Sequence, residues 1–118
     1  QALAPLLADA DGACAGAVVA NLSSEIGSIA RRDEFRTPSY AIGKAAQNMG
    51  SVLLARALAP RGIRVVALHP GWVRTDRGGA QATLAPADAV AALLDVIDRL
   101  GPGQSGVFLD PRGQVLPW

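Results

Sequence analysis

Tyr40 and Lys44 stand four residues apart in the run Ser39-Tyr40-Ala41-Ile42-Gly43-Lys44. On a helix that spacing places both on one face, one turn apart. An ammonium beside a phenol favours its charged form, so the phenol can exchange a proton with a carbonyl oxygen near neutral pH. The spacing alone occurs on many helices without consequence, so its neighbours decide its meaning. Upstream, Ser23-Ser24 ends an apolar run, and a hydroxyl at a strand end can donate to an oxygen that gains negative charge. Downstream, His69-Pro70-Gly71-Trp72-Val73-Arg74-Thr75-Asp76 ends another. His69 is the single histidine and has no partner ligands for a metal, so it reads as a packed or hydrogen-bonded residue.

These residues need elements to position them. Residues 1–8 read as the tail of a helix, broken at Asp9-Ala10-Asp11-Gly12. Residues 13–22, with Ala17-Val18-Val19-Ala20-Asn21-Leu22, suit a buried parallel strand, and residues 23–36 read as a loop. Thr37 is placed to cap a helix that starts at Pro38 and runs to about Ala59, with Tyr40, Lys44, Met49, Val52, Leu53, Arg56 and Ala57 at spacings of three and four. Pro60-Arg61-Gly62 stops it. Residues 63–68 form a second buried-type strand, and Arg74 to Leu84 a Gly-bearing mobile loop. A helix from Pro86 through Leu100 turns Ala89, Leu93, Val96, Ile97 and Leu100 to one side, and residues 106–109 give a third, short strand. Strand–helix–strand–helix–strand predicts an α/β fold: a Rossmann-like parallel sheet with flanking helices, joined by right-handed crossovers. Its first strand keeps one edge unpaired unless another segment lies beside it. Such sheets bind ligands at the carboxyl ends of their strands, where Ser24, Pro70 and Gly71 fall and where the Tyr40 helix begins.

The chain has 118 residues, half of them hydrophobic, and a net charge of +1, which suits one modest globular domain and argues against a nucleic-acid surface. Arg31-Arg32-Asp33-Glu34-Phe35-Arg36 mixes both signs and reads as a solvated loop, as does the helix face of Asp88, Asp95, Asp98 and Arg99. Cys14 is the only cysteine, so no intrachain disulfide forms; it reads as buried and inert, and a reducing, cytoplasmic setting is expected. No apolar stretch reaches the about 20 residues of a membrane helix, so no membrane partner is expected. Met49 and Trp72 read as packing residues rather than specificity elements, with lining the mouth of a cofactor site as the alternative for Trp72.

The ordered set of Ser24, Tyr40-x-x-x-Lys44 and Pro70-Gly71-x-Val73-x-Thr75 resembles the short-chain dehydrogenase/reductase family, specifically its C-terminal half. Trp72 through Gly79, and the ending Gly106-Val107-Phe108-Leu109-Asp110 to Leu116-Pro117-Trp118, look like its sniffer-type carbonyl reductase branch. The resemblance covers nearly all of the chain. It implies Tyr40 as general acid/base, Lys44 as the cation that activates it and binds the nicotinamide ribose, and Ser24 as the hydroxyl that steadies the carbonyl. Ser23 is the alternative serine, and Ser24-Glu25-Ile26-Gly27 matches the family's Ser-x-x-Gly register. The 16-residue interval from Ser24 to Tyr40 is longer than the family's usual one and reads as a small insertion. Pro70 and Gly71 would shape the turn from which Val73 and Thr75 hold the nicotinamide carboxamide, with Arg77 to Leu84 in a substrate lid. Gly43 departs from the family's usual Ser beside the Lys.

The implied activity is that of an NAD(P)-dependent oxidoreductase that transfers hydride between NADPH or NADH, NADP being favoured by the branch, and a small carbonyl or alcohol substrate. The 118 residues contain no Gly-x-x-x-Gly-x-Gly. They are therefore expected to be the catalytic half, 1–118, of one Rossmann-like domain, with the dinucleotide-loop half absent and the fragment inactive alone. An alternative is a non-catalytic remnant or association module. A sugar-nucleotide epimerase also uses Tyr and Lys at this spacing, but carries a larger C-terminal substrate domain. Family members often assemble through the long helix, so the resemblance allows a homo-oligomer.

Overall fold

The computed structural model describes Leu7 and residues 16–76 and 78–118. The expected helix tail at residues 1–8 and the reading of Cys14 fall essentially outside them. Three strands, β1 (Val18–Leu22), β2 (Arg64–Leu68) and β3 (Val107–Leu109), form one parallel sheet in that order. Helix α1 (Pro38–Leu58) joins β1 to β2, and α2 (Pro86–Asp98) joins β2 to β3. The register pairs Val18 with Arg64 through Leu22 with Leu68, and Val66 with Val107 through Leu68 with Leu109.

The core follows the strand alternation. On β2, Val66 and Leu68 cluster with Leu109 of β3 and with Leu93, Val96 and Leu100 from α2 and its end. The buried side of α2 carries Ala89, Leu93 and Val96, as its spacing predicts. Ala67 of β2 packs with Phe108 and Leu116, and the Trp118 ring stacks on Phe108 with centroids 5.6 Å apart. The C-terminal tail thus returns across β3: Leu109 bridges to Val115, and Leu116 N–H donates to Phe108 O at 2.8 Å. The same tail reaches the loop after β1, where Ser28 Oγ donates to Pro117 O at 2.7 Å and Ala30 N–H to Trp118 O at 2.9 Å. Among the described residues, β1 pairs with β2 alone, so its other edge has no strand beside it.

Helix α1 corrects the sequence reading. Its buried residues are Asn48, Ser51 and Ala55, while Ile42, Met49 and Leu53 are exposed. Small and polar side chains let the helix axis come close to the sheet: a Cβ on Gly106 would stand 3.4 Å from the Ala55 Cβ. Asn21 Nδ2 of β1 donates to Ser51 Oγ at 2.9 Å, so the face is polar because it meets a polar strand end. Met49 is therefore not a core packing residue.

Thr37 precedes Pro38 as expected but does not cap through its side chain. Its backbone is left-handed, at φ 45° and ψ 56°, not in the extended conformation from which a threonine hydroxyl reaches the first turn. The residue before a proline is kept out of the right-handed helical region, which is why Thr37 lies off the helix path, but that restriction by itself favours the extended region and does not account for the left-handed one. The segment after β1 is not all loop, because Glu25–Gly27 makes a 3-10 turn. Among the described residues no helix is long and apolar enough to cross a membrane.

Phe108 is fully buried and Met49 is 60% exposed. Phe108→Ala should therefore cost about 3–5 kcal/mol in urea denaturation. Met49→Ala should stay within about 0.5 kcal/mol.

Candidate active site

The carboxyl ends of β1 and β2 open into a groove of about 830 Å³. Its walls include Ser24, Tyr40, Pro70, Gly71, Val73 and Thr75, so six of the seven residues singled out in the sequence share one cavity. Lys44, the seventh, lies one turn behind Tyr40, with Nζ 5.8 Å from the ring centroid. The two are on the same side of α1.

Lys44 Nζ donates to Leu22 O at 2.9 Å and to Gln47 Oε1 at 2.8 Å. Gln47 Nε2 donates to the same Leu22 carbonyl at 3.0 Å and closes a three-membered ring of contacts. Both acceptors on Lys44 are neutral. An ammonium has three N–H donors, so two orient it and one remains for a ligand. Gln47 had not been singled out from the sequence. Its position three residues after Lys44 on a helix is the only signal for it.

The two serines separate cleanly. Ser23 is buried, and its hydroxyl donates to Asn48 Oδ1 at 2.5 Å, while its N–H donates to Leu68 O at 2.7 Å. Ser24 is half-buried on the groove wall, and its Oγ accepts from Ile26 N–H at 3.4 Å as the cap of the 3-10 turn. Gly27 ends that turn against α1, where a Cβ would stand 2.8 Å from the Lys44 carbonyl carbon and Cβ. The Ser24-x-x-Gly27 spacing therefore has a steric cause. Gly43 has none: a Cβ there meets nothing within 4 Å.

Across the groove, Gly71 takes φ 83°, and a side chain would meet Leu84 Cδ1 at 2.6 Å. The loop beyond is tied at its base, with Arg74 N–H donating to Leu84 O at 2.8 Å and Leu84 N–H to Trp72 O at 3.1 Å. Thr75 Oγ1 accepts from Gly78 N–H at 3.1 Å, and Trp72 Nε1 donates to Gly78 O at 2.9 Å. Trp72 is 53% exposed and is itself on the groove wall, so it fastens the loop at the mouth of the cavity and is not a core packing residue. Arg77, expected in the lid, is outside the described residues.

His69 also lines the groove, a placement its sequence position at a strand end allowed but did not specify. Its side chain is largely buried, Nδ1 has no hydrogen-bond partner, and Nε2 lies 3.8 Å from Glu25 Oε1. Burial holds its pKa below the usual 6.5, opposed by the Glu25 and Asp110 carboxylates and reinforced by Arg31. Glu25 is itself 3.9 Å from Arg31.

The sign of the resulting pH dependence is fixed. A histidine whose folded pKa is lowered binds protons more readily when unfolded, between its folded pKa and 6.5. Its stability contribution is complete at neutral pH and is lost as pH falls through that window. The stability difference between the protein and its His69→Asn variant, from urea melts, should therefore shrink as pH drops from about 7.5 to about 5.5. A difference that grows on acidification would contradict the burial argument.

A family model for short chain dehydrogenase matches residues 1–84. The chain is 44% identical over 100 residues to C-signal of Myxococcus xanthus, covering 85% of this chain and 60% of that protein. It is 35% identical over 122 residues to 1-hydroxy-2-glutathionyl-2-methyl-3-butene dehydrogenase of Rhodococcus sp. (strain AD45), covering 100% of this chain and 51% of that protein. Among solved structures it is similar to carbonyl reductase Sniffer of D. melanogaster, with TM-score 0.82 and 36% identity over 86% of this chain and 41% of that one. A carbonyl reductase from chicken fatty liver, bound to NADPH, matches with TM-score 0.79 and 36% identity over 86% of this chain and 42% of that one. The chain thus spans 60% and 51% of the two curated relatives. With the family model matching residues 1–84, most of its length, the chain belongs to the short chain dehydrogenase family.

Proposed function

We propose that residues 1–118 are the catalytic half of a Rossmann-like oxidoreductase that interconverts a small carbonyl compound and its alcohol with NADP or NAD. The carrying observation is the shared groove: Ser24 and Tyr40 on its wall, and Lys44 Nζ 5.8 Å from the Tyr40 ring. The resemblance of the fold to an NADPH-bound carbonyl reductase supports NADP as the cofactor.

The residues present fit a nicotinamide. A groove of about 830 Å³ is in the range that holds a drug-sized or cofactor-sized group. Lys44 has an N–H donor left for a ribose hydroxyl. Val73 and Thr75 would hold the carboxamide, and the left-handed Gly71 lets the wall turn beside Leu84 with no side chain in the way. When bound, the reduced nicotinamide supplies the hydride that reaches the carbonyl carbon.

The chain's own residues deal with the oxygen. As the carbon–oxygen double bond becomes single, negative charge grows on that oxygen. The Tyr40 O–H gives it a proton, and the Ser24 O–H donates a hydrogen bond to it. The Lys44 charge opposes the cost of leaving negative charge on the phenol oxygen. In the oxidation direction Tyr40 takes the alcohol proton back. The exposed Ile42, Met49 and Leu53 of α1 support assembly of the protein through this helix.

The test is consumption of NADPH by the whole protein with a panel of small aldehydes and ketones. Tyr40→Phe should lower kcat roughly 100- to 10,000-fold with little change in cofactor binding. Ser24→Ala should lower it roughly 100-fold. A Tyr40→Phe variant as active as the parent would remove the tyrosine from the mechanism.

A further inference from the structure

Ser24 lies between two residues that one side chain of the long helix holds. Ser23, just before it, donates its hydroxyl to Asn48 Oδ1 at 2.5 Å. Gly27, three residues after it, accepts through its carbonyl from Asn48 Nδ2 at 3.4 Å. Ser24's own hydroxyl makes one contact, the 3.4 Å bond from Ile26 N–H within the same turn. That contact cannot register the turn against α1. Asn48 can, since it stands one helical turn beyond Lys44 and two beyond Tyr40. Asn48 is 3% exposed and does not line the groove.

We propose that Asn48 is a positioning residue: by gripping Ser23 and Gly27 it sets where the Ser24 hydroxyl stands relative to Tyr40 and Lys44. The catalytic meaning of this rests on the role given to Ser24 above. The chemistry specifies an amide. The grip needs an acceptor for the Ser23 hydroxyl and a donor for the Gly27 carbonyl on one short side chain. An aspartate keeps the acceptor but turns a lone pair toward the Gly27 oxygen. A leucine leaves a buried hydroxyl and a buried carbonyl without that partner. Gly27 limits the adjustment, because its missing Cβ already brings the turn into contact with the Lys44 backbone.

Two measurements on the whole protein test the assignment. Amide hydrogen exchange reads the turn without any catalysis: Gly27 N–H donates to Ser24 O and Ser28 N–H to Glu25 O, both at 2.9 Å. In Asn48→Asp these two amides should exchange roughly tenfold faster while those of β2 keep their rates. Unchanged exchange at the turn, or an equal rise in β2, overturns the grip. Second, with NADPH and an accepted aldehyde, Asn48→Asp should lower kcat roughly 10- to 100-fold at an unchanged KM for NADPH. The loss should vanish when Ser24 is already alanine. An equal loss in both backgrounds makes Asn48 structural only and overturns the proposal. Should the Asn48 variants fail to fold, Ser23→Ala breaks one side of the grip, and it must show the same dependence on Ser24. If Ser24→Ala and Tyr40→Phe are both as active as the parent, the enzymatic reading fails and the catalytic part of this proposal with it. A negative exchange result alone removes the grip and leaves that reading standing.

Discussion

Where the turn Glu25–Gly27 meets α1, a Cβ on Gly27 would stand 2.8 Å from both the carbonyl carbon and the Cβ of Lys44, and 3.0 Å from the Ala45 nitrogen. Neither backbone can yield without moving a whole element. The residue that closes the turn after Ser24 is thus pressed against the residue that carries the cation. Position along this contact is then fixed by polar groups, Ser23 on Asn48 Oδ1 and Asn48 on the Gly27 carbonyl. Each such bond nets about 1 kcal/mol, but removing one partner costs about 1–3 kcal/mol, because a buried group is left alone. The asymmetry makes the contact a specification of geometry more than a source of stability.

The rest of the fold serves this contact from behind. Apolar burial is concentrated on β2, β3 and α2, around Val66, Leu68, Leu93, Val96 and Leu109. α1 reaches β1 through Asn48 and Ser51, and the strand answers with Asn21 and Ser23. A helix held by large side chains would ride farther from the sheet. One held by serine, asparagine and alanine can approach until glycine is required, as at Gly27. The site is therefore built at the polar seam, and the hydrophobic core lies to one side of it.

Much of this was legible in the sequence. The order of strands and helices, the carboxyl-end rim and the buried line Ala89, Leu93, Val96 of α2 came from period and punctuation, because each of those segments has one chemical character along its length. The residues on and behind the groove wall were legible as types at intervals: Tyr40 and Lys44 by helical spacing, Ser24 by resemblance to the family's Ser-x-x-Gly register. The buried face of α1 was not. Apolar periodicity pointed to Met49 and Leu53, which are exposed, because the helix buries polar residues instead. Extending the Tyr40–Lys44 line by the same helical step passes through Asn48, Ser51 and Ala55, so the face could have been found from the site rather than from hydrophobicity. The left-handed Thr37 was hidden for a different reason: capping rules assume an extended backbone, and Thr37 has a left-handed one. Nor does any local pattern reveal Trp72 fastening its loop to Gly78, a contact made outside the core.

The surroundings of Lys44 suit the part proposed for it. Its ammonium is held by Leu22 O and Gln47 Oε1, both neutral, and no carboxylate of the described residues forms an ion pair with it. A carboxylate partner would orient it equally well but would cancel its field at Tyr40. Neutral acceptors orient the ammonium without pairing its charge, and they hold it 5.8 Å from the centre of the phenol ring. Glu25 is the nearby counter-example. It lies 3.9 Å from Arg31 and 3.8 Å from His69, so the one acidic group on this turn has its charged partners there and forms no ion pair with the lysine.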